Sequence, residues 1–256
     1  MKKLKLFALA SLALLGFSGA ANAETVLLAS DDFVGISFWV IAMGMAAATV
    51  FFFMERGSVA AGWKTSVTVA GLVTGVAFVH YMYMRDVWVM TGDSPTVYRY
   101  IDWLITVPLQ MVEFYLILAA VRKVPTSIFW KLLIGSLVML IGGYLGEAGY
   151  IQPFVGFVIG MAGWIYILFE IFSGEAGTLA AKTGNRAMTT AFSAMRIIVT
   201  IGWAIYPLGY VFGYLTGGVD ANALNIIYNL ADFVNKIAFG LVIWAAAMQN
   251  TRLSSR

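Results

Sequence analysis

The sequence predicts an all-α membrane protein: a seven-transmembrane helix bundle with its N-terminus outside and its C-terminus cytoplasmic. Three observations lead there. The 256 residues are 61% hydrophobic and only 11% charged, with a mean hydropathy of +0.86, whereas soluble domains carry roughly 25% charged residues. The apolar residues gather into seven stretches, each long enough to cross about 30 Å of hydrocarbon at about 1.5 Å per residue. Lys and Arg are divided unequally between the two sets of connections, as in proteins with a fixed orientation in a bilayer.

Taken in order, the first element reads as a leader. Residues 1–23 form a cleavable signal peptide, with Lys2, Lys3 and Lys5 as its basic start, Leu6 to Phe17 as its apolar core and Ala21-Asn22-Ala23 as its cleavage site. An apolar core of this length is too short to span a bilayer. Removing its three lysines leaves 13 basic against 13 acidic residues, so the pI near 9.0 belongs to the leader and marks no basic surface. Residues 24–256 are then one transmembrane domain.

The seven stretches fall at ~33–54, ~60–84, ~97–121, ~127–146, ~151–173, ~188–215 and ~222–249. Helix-breaking clusters separate them. Glu55-Arg56-Gly57 closes the first, and Thr91-Gly92-Asp93-Ser94-Pro95 lies between the second and third. Gly174-Glu175-Ala176-Gly177 follows the fifth, and Gly217-Gly218 follows the sixth. No linker or low-complexity tract interrupts them. With the N-terminus outside, Arg56, Lys64, Arg122, Lys123, Lys131, Lys182, Arg186, Arg196, Arg252 and Arg256 all fall on or near the cytoplasmic side. Only Arg85 falls on the other.

Several functions are excluded early. The chain has no cysteine and one histidine, His80, so thiolate chemistry and histidine-rich metal sites are not available. No Lys/Arg stripe outside the leader would bind nucleic acid. The expectation is an integral membrane protein and not an enzyme.

Charges inside the spans carry the functional information, because each costs at least about 2.5–3.5 kcal/mol at a helix centre. The third stretch holds Arg99, Asp102 and Glu113, the second His80, and the seventh Asp232 and Lys236. Arg99, Asp102, Thr106, Gln110 and Glu113 step by three and four residues and so share one helix face. Asp102 and Glu113 are separated by roughly 16 Å along the axis at about 1.5 Å per residue. Asp232 and Lys236 are i,i+4 neighbours. Two carboxylates at different depths beside a buried lysine form the parts of a proton path. The lysine itself can be an ion-pair partner or a Schiff base with a carbonyl cofactor. Aromatics that could wall such a cofactor are Trp103 on the third stretch and Trp203, Tyr206 and Tyr210 around Pro207 on the sixth.

At these residues the chain resembles the microbial rhodopsins, most closely the proteorhodopsins. The resemblance covers essentially all of the mature chain. It rests on Arg99-Tyr100-Ile101-Asp102-Trp103-Leu104-Ile105-Thr106-Val107-Pro108, Asp232-Phe233-Val234-Asn235-Lys236, Trp203-Ala204-Ile205-Tyr206-Pro207 and His80-Tyr81, each on the matching helix. It implies all-trans retinal bound to Lys236 as a protonated Schiff base. By the same resemblance Asp102 is the primary proton acceptor, Asp232 the second counterion carboxylate and Arg99 the organiser of that cluster. His80 matches the histidine that pairs with the acceptor, and Glu113 the cytoplasmic proton donor. Trp103, Thr106, Gln110, Trp203, Tyr206, Pro207 and Tyr210 match the retinal pocket. Which way His80 points, toward Asp102 or toward a neighbouring protomer, is open from sequence.

The triplet Asp102, Thr106, Glu113 is the pattern of outward proton pumps in that family, and glutamine at the position of Gln110 marks its blue-absorbing members. A light-driven, blue-absorbing outward proton pump is therefore implied, with a slow-photocycle sensory rhodopsin as the alternative. Membrane lipids and a homo-oligomer of five or six protomers are the implied partners, with no metal and no nucleic acid.

Overall fold

A computed structural model describes residues 28–254. The signal-peptide reading of 1–23 lies outside the described residues. Among those residues there is no strand, and seven helical spans run Phe33–Glu55, Ala61–Thr91, Thr96–Ala119, Thr126–Glu147, Pro153–Ala181, Arg186–Leu215 and Ala221–Leu253. They pack in chain order into a ring that closes where the seventh meets the first and second. The third span is the most buried, which places its row of charged residues at the centre of the bundle.

Local chemistry sets the ends. Asp32 caps the first span by accepting from the Gly35 amide at 2.8 Å, and it also accepts from the Trp88 indole at 3.1 Å, tying that span to the second. Asn185 caps the sixth through the Met188 amide at 3.0 Å and donates to Asn250 on the seventh at 2.7 Å. The second span continues to Thr91, beyond the expected limit near 84. Arg85 and Asp86 pair at 3.0 Å on the helix surface without breaking it. Gly92, at φ 71°, supplies the left-handed residue that ends it. The fifth span is two helices: Pro153–Phe172 stops at Ser173-Gly174, and Glu175–Ala181 follows. Buried Glu170 accepts from the Ala176 amide at 3.0 Å across that break, with Lys131 at 3.7 Å.

Two features shape the interior. Glycines let the fourth and fifth spans touch backbone to backbone: a Cβ on Gly156 would lie 2.6 Å from the Gly146 Cα, and one on Gly163 only 2.6 Å from the Met139 nitrogen. The sixth span is irregular. π-helical segments Ile198–Gly202 and Val211–Leu215 flank Ile205–Tyr210, which contains Pro207. Proline has no N–H for the helical ladder. Side chains on the neighbouring spans meet two carbonyls of the widened turn: Trp164 Nε1 donates to Val199 at 3.0 Å and Asn235 Nδ2 to Gly202 at 3.0 Å.

Candidate functional site

The site centres on Lys236, which is 3% exposed in the middle of the seventh span. Its Nζ donates to Asp102 on the third span and, at 3.0 Å, to Asp232 one turn earlier on its own. Both carboxylates are buried. A lone ammonium in hydrocarbon would be far too costly, and here two anions surround it. The Arg99 guanidinium, one turn before Asp102, brings the four side chains to charge balance.

The two carboxylates have different surroundings. Asp232 is saturated: it accepts from Tyr206 at 2.6 Å, Tyr81 at 2.8 Å and Trp103 Nε1 at 3.2 Å, besides Lys236. Three neutral donors from three other spans fix it in place and stabilise its charge. Asp102 has Lys236 on one oxygen, while its Oδ1 has no hydrogen-bond partner. The nearest imidazole nitrogen, His80 Nδ1, stands 4.0 Å from that oxygen and is hydrogen-bonded instead to the Val76 carbonyl at 3.0 Å. The structure therefore settles the side to which His80 points, toward Asp102, without closing a hydrogen bond between them. Of the two acids, Asp102 is the one with an oxygen open to a proton.

Arg99 lies one turn before Asp102 and takes its hydrogen-bond partners from the seventh span. It donates to Asn225 at 2.8 Å and Asn229 at 3.0 Å, and its Nε and Nη1 have no partner. No ion pair joins it to either aspartate among the described residues. Two asparagines from the seventh span hold it, together with the faces of Phe38, Trp103 and Tyr228 at 5.5–6.0 Å. It acts on the aspartates through space.

From Lys236 a cavity of about 110 Å³ opens toward the fourth, fifth and sixth spans. Trp103, Gln110, Trp203, Tyr206, Pro207 and Tyr210 line it. Thr106 does not: its hydroxyl turns back to the Asp102 carbonyl at 2.9 Å, as threonines in helices do. On the far side the lining is Gly143, Gly156 and Gly160, with Met139, Phe157, Met161 and Trp164. The Gln110 amide is buried with its Nε2 unpaired against this cavity. An apolar molecule with rings or conjugated bonds, anchored at Lys236, suits these walls.

Glu113 lies outside the cavity, buried three turns along the same helix face as Asp102. Neither of its oxygens makes a hydrogen bond within 3.5 Å; the Ser66 hydroxyl of the second span is the polar group that faces it.

The sequence pattern of the bacteriorhodopsin-like protein family matches residues 32–250 of the chain. The chain belongs to that family. As a bacteriorhodopsin-like protein it is 56% identical, over 98% of its length and 99% of the relative's, to the blue-light absorbing proteorhodopsin of Gamma-proteobacterium Hot 75m4. It is 57% identical, over 88% of its length and 90% of the relative's, to the green-light absorbing proteorhodopsin of Gamma-proteobacterium EBAC31A08. Its fold matches the crystal structure of the blue light-absorbing proteorhodopsin from Med12 with a TM-score of 0.75 at 58% identity, covering 85% of this chain and 99% of that one. The bacteriorhodopsin-like chromophore is retinal bound to a lysine, and the protein is a multi-pass bacterial membrane protein.

The site also contains residues to which sequence reasoning gave no role. Tyr81, Asn225, Asn229 and Tyr228 complete the cluster around Asp232 and Arg99. Asn225, Asn229, Asp232 and Lys236 step by four, three and four along the seventh span, a polar stripe that could have revealed the asparagines. The glycine and methionine wall of the cavity has no such signal.

Proposed function

We propose that this bacteriorhodopsin-like protein is a light-driven outward proton pump, with all-trans retinal held as a protonated Schiff base at Lys236. One observation carries the reading. A buried lysine sits between two carboxylates at the mouth of an aromatic cavity, and a third carboxyl lies further along the same helix. The Lys/Arg asymmetry supports an N-out, C-in orientation, with the 1–23 leader cleaved. Glu113 is then toward the cytoplasm and Asp102 toward the outside.

When bound, retinal supplies light absorption and a change of shape that moves the Lys236 nitrogen relative to its counterions. The chain's own groups do the rest. The open oxygen of Asp102 accepts the proton leaving the Lys236 nitrogen. Asp232, held by Tyr81, Tyr206 and Trp103, stays ionised and keeps the field at the nitrogen negative. Glu113 returns a proton to that nitrogen from the cytoplasmic side and is itself recharged from the cytoplasm. The separation of acceptor and donor by three helical turns gives the transport its direction. Gln110, with its unpaired amide on the cavity, supports blue absorption, as does the likeness to two blue light-absorbing proteorhodopsins. The resemblance supports a ring of five or six protomers in the bilayer.

Cells expressing the chain and supplied with all-trans retinal are expected to acidify an unbuffered medium under blue light, and a protonophore should abolish the effect. A coloured membrane with no pH change would favour a sensor, and no colour at all would refute the role of Lys236.

A further inference from the structure

We propose that Asn225 and Asn229 are positioning residues: together they hold the Arg99 guanidinium off Asp102 and so keep that acid able to take up a proton. The inference rests on the proposed reading of Lys236 as the retinal attachment site and of Asp102 as its proton acceptor.

Arg99 and Asp102 are three residues apart on one helix face, a spacing at which side chains of opposite charge ordinarily meet. Asp102 has a buried oxygen, Oδ1, without a hydrogen bond, and Arg99 has two such nitrogens, Nε and Nη1. An ion pair would satisfy both, yet none forms between them among the described residues. The third nitrogen, Nη2, is held elsewhere: it donates to Asn225 at 2.8 Å and to Asn229 at 3.0 Å. These asparagines stand seven and three residues before Asp232 on the seventh span, or roughly 10 and 5 Å along the axis at about 1.5 Å per residue. The guanidinium is thereby drawn away from the level of the carboxylates. Neither amide is free to turn. Asn225 Nδ2 donates to the Ala221 carbonyl at 2.8 Å. Asn229 Nδ2 donates at 2.9 Å to the Ser37 hydroxyl on the first span, which donates in turn to the Val34 carbonyl at 2.7 Å. With each nitrogen engaged, each amide presents its oxygen to Arg99.

An asparagine is a neutral acceptor, so the clamp holds the guanidinium without cancelling its charge. A guanidinium in contact with Asp102 would favour the carboxylate far more strongly than one held off, and an acid kept ionised in this way accepts a proton poorly. The cationic work at the site is thus divided: Lys236 touches both aspartates, and Arg99 touches neither.

The test is a spectral titration of the full chain with all-trans retinal, in which protonating Asp102 as pH falls moves the visible band to the red. The other groups that face Asp102, namely Lys236 and Asp232 on the seventh span and His80 and Tyr81 on the second, are left in place. Asn225→Leu and Asn229→Leu keep the size of the side chain and remove the clamp. Each should lower the pH midpoint of the red shift by about 1 unit or more, as the freed guanidinium reaches Oδ1. In an Arg99→Gln background the same substitutions should leave the midpoint where it is, a result that a purely structural role for the asparagines would not give. Should the leucine variants form no pigment, Ser37→Ala, which releases only the Asn229 amide, should lower the midpoint by a smaller amount. Absence of pigment in the unmodified chain would refute the Lys236 reading and leave the clamp to a second readout. In the retinal-free protein with 15N-labelled arginine, the Nη2 resonance of Arg99 should move in both leucine variants. An Nη2 resonance that stays, a midpoint that stays or rises, or a fall that persists in Arg99→Gln overturns the proposal.

Discussion

At the residue scale, the difference between Asp102 and Asp232 decides how the site works. Both contact Lys236, yet Asp232 also accepts from Tyr81, Tyr206 and Trp103, while one oxygen of Asp102 accepts from nothing. Asp102→Asn is therefore expected to abolish light-driven proton release and to shift absorption to the red, because the anion that stabilised the ground-state charge is gone. Visible spectra and pH records on the same membranes check both. Glu113→Gln should leave the colour nearly unchanged, since Glu113 lies outside the cavity. It should slow reprotonation of the Lys236 nitrogen by about 10²-fold or more, the usual worth of a positioned acid, as read by flash photolysis. Much of this was legible beforehand: spacing of three and four residues put Arg99, Asp102, Gln110 and Glu113 on one buried face. The partners of Arg99 were not legible, because hydrogen bonds to Asn225 and Asn229 depend on how the third and seventh spans meet. Thr106 has the right spacing yet turns its hydroxyl to the backbone, a choice of rotamer that spacing does not reveal.

At the element scale, backbone proximity makes the cavity. The glycines of the fourth and fifth spans give that wall its thinness, and the widened turns around Pro207 fix the direction of Trp203, Tyr206 and Tyr210. Gly156→Leu is expected to be costly, since even its Cβ would meet the Gly146 backbone at 2.6 Å. Overpacking of this kind costs about 1–3 kcal/mol or more, measurable as a lower midpoint for thermal bleaching of the pigment. Asn235→Ala should also lower that midpoint, because it deprives the Gly202 carbonyl of its donor. Hydropathy gave the seven spans to within a few residues at most ends. It could not show that the second span continues to Thr91 or that a further helix, Glu175–Ala181, follows the break read at Gly174, since these depend on a left-handed Gly92 and on Glu170 accepting from the Ala176 amide.

At the scale of the whole molecule, direction comes from the placement of acids along a single axis. In the proposed N-out orientation, drawn from the charge asymmetry of the connections, the third span places Glu113 inside and Asp102 outside. Right-side-out cells should therefore acidify their medium in the light, while inverted vesicles should acidify their lumen. Orientation is read from charge alone, whereas the closed ring of seven spans is visible only once they are packed.

In the proposed pump, Asp102 receives the proton that leaves the Lys236 nitrogen. Time-resolved infrared difference spectroscopy on the illuminated pigment measures it directly. A protonated carboxyl C=O band is expected to rise as the nitrogen loses its proton. The band should be absent in Asp102→Asn and present in a pigment-forming Asp232→Asn variant. A band that persists in Asp102→Asn would contradict the account.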